Sequence, residues 1–274
     1  MSQPELNRIY DLNRDALALA SAGDFGRAVP LGREAVRLAR PLFATVGGLE
    51  TCLALAVSLH NLGLVAAWAA RRDEALLAAT EAVDLFRRFT AAHPVLGRPR
   101  LADALDSLSS RLAVLGRHGD ALPLSAEAVA LLRLVEPTEE HRAELARCLN
   151  KHAVRLADND RDEESLTVLT EALGLYRALD SDGSADYREG VIHVLANLAL
   201  RHAALGNDAV VPGLALESVE RLTALPTLHP AHESVALADS WEALAGHLAR
   251  TGRYPEAQQL EAAAARLRDR AAPR

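Results

Sequence analysis

The chain of 274 residues is poor in aromatic side chains, contains two cysteines and has a single lysine, Lys151. Phe, Trp and Tyr together make up 4% of the residues, whereas alanine and leucine are abundant. β-Strands are enriched in β-branched and aromatic residues, while alanine and leucine are among the strongest helix formers. Half of the residues are hydrophobic, which is ample for a core. The composition therefore predicts an all-α protein.

The sequence also has no long basic run, and its formal net charge is −7. Non-specific nucleic-acid binding needs a basic face that neutralises phosphates, so we expect no nucleic-acid partner. Cys52 and Cys148 lie far apart without metal-ligand spacing, which favours two buried thiols. The N-terminal segment is charged early and lacks the apolar stretch of a secretory signal. We expect a cytoplasmic protein, and the preference for arginine over lysine is typical of a GC-rich bacterial genome.

One stretch, residues 51–70, has no charged side chain. Its length would allow a helix to cross a bilayer. It contains Ser58, His60 and Asn61, however, and each of its positions has a place in the repeat described below. We therefore expect a buried helix and no membrane span.

The sequence lacks the motifs of common catalytic and metal sites. There is no glycine-rich phosphate loop, no His-Glu-x-x-His, no Cys-x-x-Cys and no Gly-x-Ser-x-Gly. His229 and His232 flank Pro230 in a connector, where two solvated histidines are the expected state. We expect no enzymatic activity, no cofactor and no metal site.

A short motif, Glu-Ala-Val, recurs along the chain. It occurs at residues 34–36, 81–83 and 127–129, and in altered form at residues 171–173, 217–219 and 263–265. Six residues before each copy lies what we term the anchor residue of the repeat: Ala28, Ala75, Ala121, Ser165, Val211 and Ala257. Successive anchors are 44 to 47 residues apart. Such a period predicts a helical repeat protein.

Small residues hold fixed positions in every repeat. Five residues before the anchor lie Gly23, Ala70, Gly116, Asp160, Gly206 and Gly252. Glycine and aspartate tolerate a left-handed backbone, which predicts a tight turn between two helices, with Ala70 as a turn of different build. Asp160 and Glu163 are typical of a capping box. Close approach of the two helices is favoured by two further small positions, twelve residues before the anchor and seven after it: Ala16, Gly63, Ser109, Ala153, Ala199 and Ala245, and then Ala35, Ala82, Ala128, Ala172, Ser218 and Ala264.

This pattern resembles the tetratricopeptide repeat (TPR), and in the second repeat it appears as Leu59…Asn61-Leu62-Gly63…Ala75…Ala82. The period exceeds the family's usual 34 or so residues, so the resemblance is to the long-helix repeats of kinesin light chains and bacterial regulators. It implies an all-α fold, a right-handed α-solenoid in one domain over residues 4–270. The six predicted helix pairs span residues 4–47, 48–98, 99–137, 138–183, 184–230 and 231–270.

In TPR proteins the first helix of each pair lines a concave groove that receives the ligand. The resemblance then places in this groove Asn61, Asp103, Asp106, Arg147, Lys151, His193 and Asn197. Family members that grip the C-terminal carboxylate of a peptide use Lys or Arg and Asn at such positions. A peptide partner with an acidic tail is therefore implied, although Asp103 interrupts the pattern. The alternative is a ladder of ion pairs, Asp103 with Arg147 and His193 with Asp239.

An apolar patch is predicted on the same face of the second repeat, formed by Val57, Leu64, Ala67 and Trp68. A tryptophan exposed in a groove is the type of residue that anchors a partner, and exposed apolar patches mark interfaces. We expect contact with a partner helix or with a second copy of the chain, as a homodimer. The alternative is that neighbouring connectors fold over Trp68 as core.

These features predict a non-enzymatic scaffold that binds a protein or peptide segment in its groove. One alternative is a ligand- or peptide-sensing module of a bacterial regulator. The other is a catalytic accessory protein that uses four carboxylates together with His193: Asp103, Asp106, Asp239 and Glu242.

Overall fold

The computed structural model describes residues 3–180, 187–223 and 231–271. These residues form twelve helices and no strand. The helices are α1 (Gln3–Ser21), α2 (Phe25–Val46), α3 (Leu49–Trp68), α4 (Arg72–Ala92), α5 (Pro94–Val114), α6 (His118–Leu132), α7 (Glu139–Ala157), α8 (Asp162–Asp180), α9 (Arg188–Ala204), α10 (Val211–Thr223), α11 (Ala231–Arg250) and α12 (Tyr254–Ala271). The predicted all-α class is confirmed.

The helices form consecutive pairs that fall into two compact units, Met1–Glu136 with α1 to α6 and Pro137–Arg274 with α7 to α12. Within each unit every helix packs against the next, and the first helices of successive pairs also contact each other. The first helix of the third pair begins at Pro94, before the predicted start at residue 99. One continuous domain over residues 4–270 stays a prediction.

All six pairs share one turn between their two helices. In the first pair the Gly23 N–H donates to the Ala20 carbonyl at 3.0 Å, and the Asp24 N–H donates to the Leu19 carbonyl at 2.9 Å. This pattern is a Schellman motif, in which the penultimate residue is left-handed. In these six turns the left-handed residues are those that the sequence singles out: Gly23, Ala70, Gly116, Asp160, Gly206 and Gly252.

Two expectations about these turns are wrong. Ala70 has a φ of 57°, and the following N–H, that of Arg71, donates to the Ala66 carbonyl at 2.8 Å, so this turn is built like the others. Alanine accepts the left-handed conformation at a cost of about 1–2 kcal/mol. Asp160, with a φ of 58°, ends the preceding turn, and α8 begins only at Asp162. It therefore forms no capping box with Glu163, because an N-cap residue has an extended backbone.

The two sets of small residues are buried at the contact between the paired helices, as predicted. At Gly63 an added Cβ would lie 3.4 Å from the Ala75 carbonyl oxygen of the facing helix. Two serines in these contacts satisfy their hydroxyls on the facing helix: Ser109 donates to the Ala121 carbonyl at 3.0 Å and Ser165 to the Ala153 carbonyl at 2.8 Å. Small side chains thus allow the helix axes to approach in every pair.

Helix α3, which carries no charged side chain after Glu50, is a core helix of the first unit. Among the described residues it alone is long and apolar enough to cross a membrane, with a mean hydropathy of 1.5. Of this apolar window, however, 72% is buried inside the protein. Helices α1, α2, α4 and α5 all pack against it, which explains why few of its positions need a charge.

Candidate partner-binding face

We define the first-helix face of each unit as the surface formed by its first helices, α1, α3 and α5 in the first unit and α7, α9 and α11 in the second. Nine of the ten predicted binding residues on it are half-buried. Such side chains are held by their neighbours and are still accessible to a partner. The nine are Val57, Asn61, Leu64, Trp68, Asp103, Arg147, Lys151, His193 and Asn197.

The tenth residue, Asp106, is only 2% exposed, so its placement in the groove is wrong. It has the same register position as Asn13, which is 3% exposed and donates from Nδ2 to the Ser58 Oγ at 2.9 Å. With about 3.6 residues per turn, position 106 points between neighbouring first helices while position 103 faces the groove. Arg111 is close enough for the two charges to interact. Burial lowers the pKa of the Arg111 guanidinium, and the carboxylate of Asp106 raises it.

Polar side chains on this face link consecutive repeats. The His60 Nε2 lies 3.1 Å from the Asp103 Oδ2, which joins α3 to α5. In the second unit the Asn197 Nδ2 donates to the Asn150 Oδ1 at 2.9 Å, which joins α9 to α7. Polar side chains therefore bridge consecutive first helices within each unit, and these two bridges differ from the predicted ion pairs.

The two predicted ion pairs have separate outcomes. Asp239 is bonded to Arg268 at 2.5 Å, so a cation other than His193 neutralises its carboxylate. The pair of Asp103 with Arg147 stays a prediction.

The apolar patch is less exposed than its sequence suggests. Trp68 is half-buried, because it packs against a core cluster in which Ala16 and Ala20 of α1 take part. Val57, Leu64 and Ala67 are half-buried as well. The prediction that this patch is left facing water is wrong in part, since Trp68 packs against a cluster of buried residues from α1, α2 and α3.

A second ladder, which the sequence reasoning missed, joins consecutive second helices. Arg40 bonds Glu81, Arg87 bonds Glu127 and Arg177 bonds Glu217. Each of these glutamates is the first residue of the Glu-Ala-Val motif or of its altered copy, and each arginine lies twelve residues after its anchor. We call this set the Arg–Glu ladder. The recurrence of arginine at that position was the signal that could have revealed it.

Nearby, Arg33 bonds Glu74 through two contacts of 2.6 and 3.0 Å. The hydrogen bond from Arg33 is the main cause that lowers the pKa of Glu74, and Arg71 adds to it against the effect of burial. The charged groups on the second helices thus neutralise one another, and the motif that reveals the repeat is structural.

The residues proposed for catalytic assistance are engaged in other contacts. Asp239 and Glu242 both bond Arg268, at 2.5 and 2.8 Å. The described residues contain no group of three or more His, Cys, Asp or Glu side chains that could hold a metal ion. The side chains of His229 and His232 lie outside the described part of the chain.

Cys52 and Cys148 are buried free thiols. Burial raises the pKa of the Cys52 thiol, which keeps it protonated and unreactive.

No protein-family model and no curated protein matches this sequence. Solved structures do match. The protein BtubC (BKLC) from P. vanneervenii superposes with a TM-score of 0.65 at 16% identity, covering 91% of this chain and 95% of that one. Kinesin-light-chain TPR-like repeats from Podosopora anserina give 0.62 at 17% identity, covering 82% and 98%.

The apo form of RapI matches as well, with a TM-score of 0.63 at 9% identity, covering 95% of this chain and 97% of that one. The fold is that of the TPR-like solenoids. At these identities the likeness shows the fold alone.

Proposed function

We propose that this chain is a non-enzymatic scaffold that binds a protein or peptide segment on its first-helix face. The observation that carries the proposal is the half-burial of nine predicted groove residues, which are positioned by their neighbours and still reachable.

In the second unit the chemistry of this face favours a partner with negative charge. Arg147 and Lys151 lie one turn apart on α7, where side chains four positions apart are neighbours. Asn197 and His193 approach from α9 with groups that can donate hydrogen bonds. An acidic peptide would meet Lys151, the amide of Asn197, and Arg147, whose guanidinium also lies 4.0 Å from the Glu144 carboxylate of the same helix. Its affinity should fall as salt rises, because charge attraction is screened.

The test uses the fact that Lys151 is the only lysine. Bound acidic peptides, such as acetylated Asp- and Glu-rich decapeptides, should slow acylation of Lys151 by an amine-reactive ester, as measured by mass spectrometry of the peptide that contains it. They should bind the parent and not Lys151→Glu. Arg161→Glu is the matched control, since it reverses an exposed charge of the same unit that is paired with Glu164. Equal binding by Lys151→Glu and the parent would show that the proposal is wrong.

A peptide-sensing regulator is the second candidate. It is favoured by the likeness to a Rap protein solved in complex with competence and sporulation factor, with a TM-score of 0.60 at 10% identity, covering 96% of this chain and 76% of that one. A sensor must change its conformational equilibrium when the ligand binds. Small-angle X-ray scattering with and without a bound peptide separates the two, because a passive scaffold keeps its profile. For either role we propose a cytoplasmic location.

A further inference from the structure

A cavity of about 230 Å³ lies inside the second unit, between α7, α8, α9 and α11. Part of its lining is fully buried, including Ser165, and part is half-buried, including Asn197 and Ser240. It therefore extends from the core towards the surface. Asn197 belongs to the first-helix face, so the cavity lies beside the surface proposed to bind a peptide.

Arg201 is the main hydrogen-bond donor of this cavity. Its side chain is 23% exposed, and its Nη1 bonds the Asp162 Oδ1 at 2.7 Å. Within the described residues no other nitrogen of this guanidinium has a partner. A guanidinium carries five N–H donors, so most of its capacity remains for a ligand with an acceptor oxygen.

The cavity also offers acceptors. The Nδ2 of Asn197 is used by Asn150, which leaves the Asn197 Oδ1 able to accept. The Asp158 carboxylate also lines the wall, and its Oδ2 lies 3.6 Å from the Arg155 guanidinium. Arg201 is balanced by Asp162 and Arg155 by Asp158, so the four charged groups sum to zero. A neutral ligand with both a donor and an acceptor matches this set, while a carboxylate would be repelled by Asp158, which lines the cavity.

The volume of the cavity limits the size of the ligand that it can hold. Pockets for drug-sized molecules measure roughly 300–1,000 Å³, and this cavity is smaller. It has room for one side chain. Building on the proposed function, we propose that it receives the side-chain amide of an asparagine or glutamine from a bound peptide. The amide carbonyl accepts from Arg201, and the amide NH₂ donates to the Asn197 Oδ1 or to Asp158.

The experiment selects binders from a phage-displayed library of random heptapeptides on the parent protein. The best binder is then synthesised with Gln, its near-isostere Glu, and Leu at the preferred position. Gln should bind about tenfold or more tightly than Glu or Leu, which corresponds to hydrogen bonds that involve a charged group. Ala157→Leu, which fills the cavity wall, should abolish this discrimination.

The matched control is Ala203→Leu, at the equivalent half-buried position of the next repeat and outside the cavity lining. It should keep the preference for Gln. If the selected binders show no preference for Asn or Gln, or if Ala157→Leu keeps the preference, the proposed amide pocket is wrong and the scaffold function is unaffected. If the parent protein retains no peptide in the selection, both the amide pocket and the scaffold function are wrong.

Discussion

Arg40 and Glu81 form a two-point salt bridge between the second helices of the first two pairs, with Nη1–Oε1 and Nη2–Oε2 distances of 2.6 and 2.7 Å. Their side chains are 54% and 38% exposed, respectively. The geometry is favourable, but water screens exposed pairs strongly, and such pairs contribute little to stability. The ladder therefore aligns neighbouring repeats more than it stabilises them.

This interpretation gives a first prediction. A double-mutant cycle with Arg40→Met and Glu81→Gln should yield a coupling free energy below about 1 kcal/mol, and the value should shrink in 1 M or so of NaCl. Urea unfolding of the four proteins at low and high salt measures it. A coupling above about 2 kcal/mol that does not respond to salt would contradict the prediction.

The second prediction concerns the turn at Ala70. Since this alanine has a φ of 57°, Ala70→Gly should raise the free energy of unfolding by about 0.5–1 kcal/mol, because relief of left-handed strain exceeds the greater entropy of an unfolded glycine. Gly116→Ala, in the equivalent turn of the next pair, should lower it by a similar amount. Urea titration of both variants checks the signs, and a destabilised Ala70→Gly would be incompatible with strain at this turn.

The third prediction tests the close contact between paired helices. Ala199 is fully buried, so Ala199→Leu should overpack the contact and lower the free energy of unfolding by about 1–3 kcal/mol. Ala243→Leu adds the same atoms at an exposed position of a first helix and should stay within about 0.5 kcal/mol of the parent. Thermal and urea unfolding provide the comparison. Equal stability of the two variants would mean that the small residues do not set the helix distance.

The fourth prediction uses the two tryptophans. Trp241 is fully buried and donates to the Ser218 Oγ at 2.8 Å, whereas Trp68 is half-buried. Acrylamide should therefore quench Trp68 alone, and Trp68→Phe should remove the quenchable part of the fluorescence. If the patch around Trp68 joins two copies of the chain, dilution should increase the quenching.

Solution mass by sedimentation supplies the independent measurement for the homodimer. The parent should shift towards the monomer over the same dilution range in which quenching rises. A monomeric mass at every concentration would rule out the dimer, and a Trp68 that resists acrylamide at every concentration would contradict its partial exposure.

The sequence predicts this fold well where a residue's role depends only on its place in the repeat. The left-handed turns and the buried small residues follow from register, because each repeat places them against the same neighbour. Asp160 shows the limit: aspartate suits both an N-cap and a left-handed turn, and only the backbone decides between them. The third pair starts at Pro94 and not at residue 99, because a proline is tolerated in the first turn of a helix, where its missing N–H costs no hydrogen bond.

The binding face was harder to predict, because it depends on contacts between repeats. Asp103 and Asp106 are three positions apart, yet one is half-buried and the other buried, since a small difference in direction decides whether a side chain meets the next helix. Trp68 likewise packs against a cluster that draws residues from three helices, α1, α2 and α3, which periodicity does not reveal. The Arg–Glu ladder was overlooked because its members lie about 40 residues apart in sequence.

The Arg–Glu ladder has a direction: in each bond the arginine belongs to the earlier repeat and the glutamate to the later one. Each of the first four repeats carries both a motif glutamate and an arginine twelve residues after its anchor, whereas the last two lack that arginine. Duplicating or deleting one of these four repeats would add or remove one arginine and one glutamate together. The two charges of the ladder are therefore inherited as a set in this part of the chain, and gene duplication there leaves no orphaned charge.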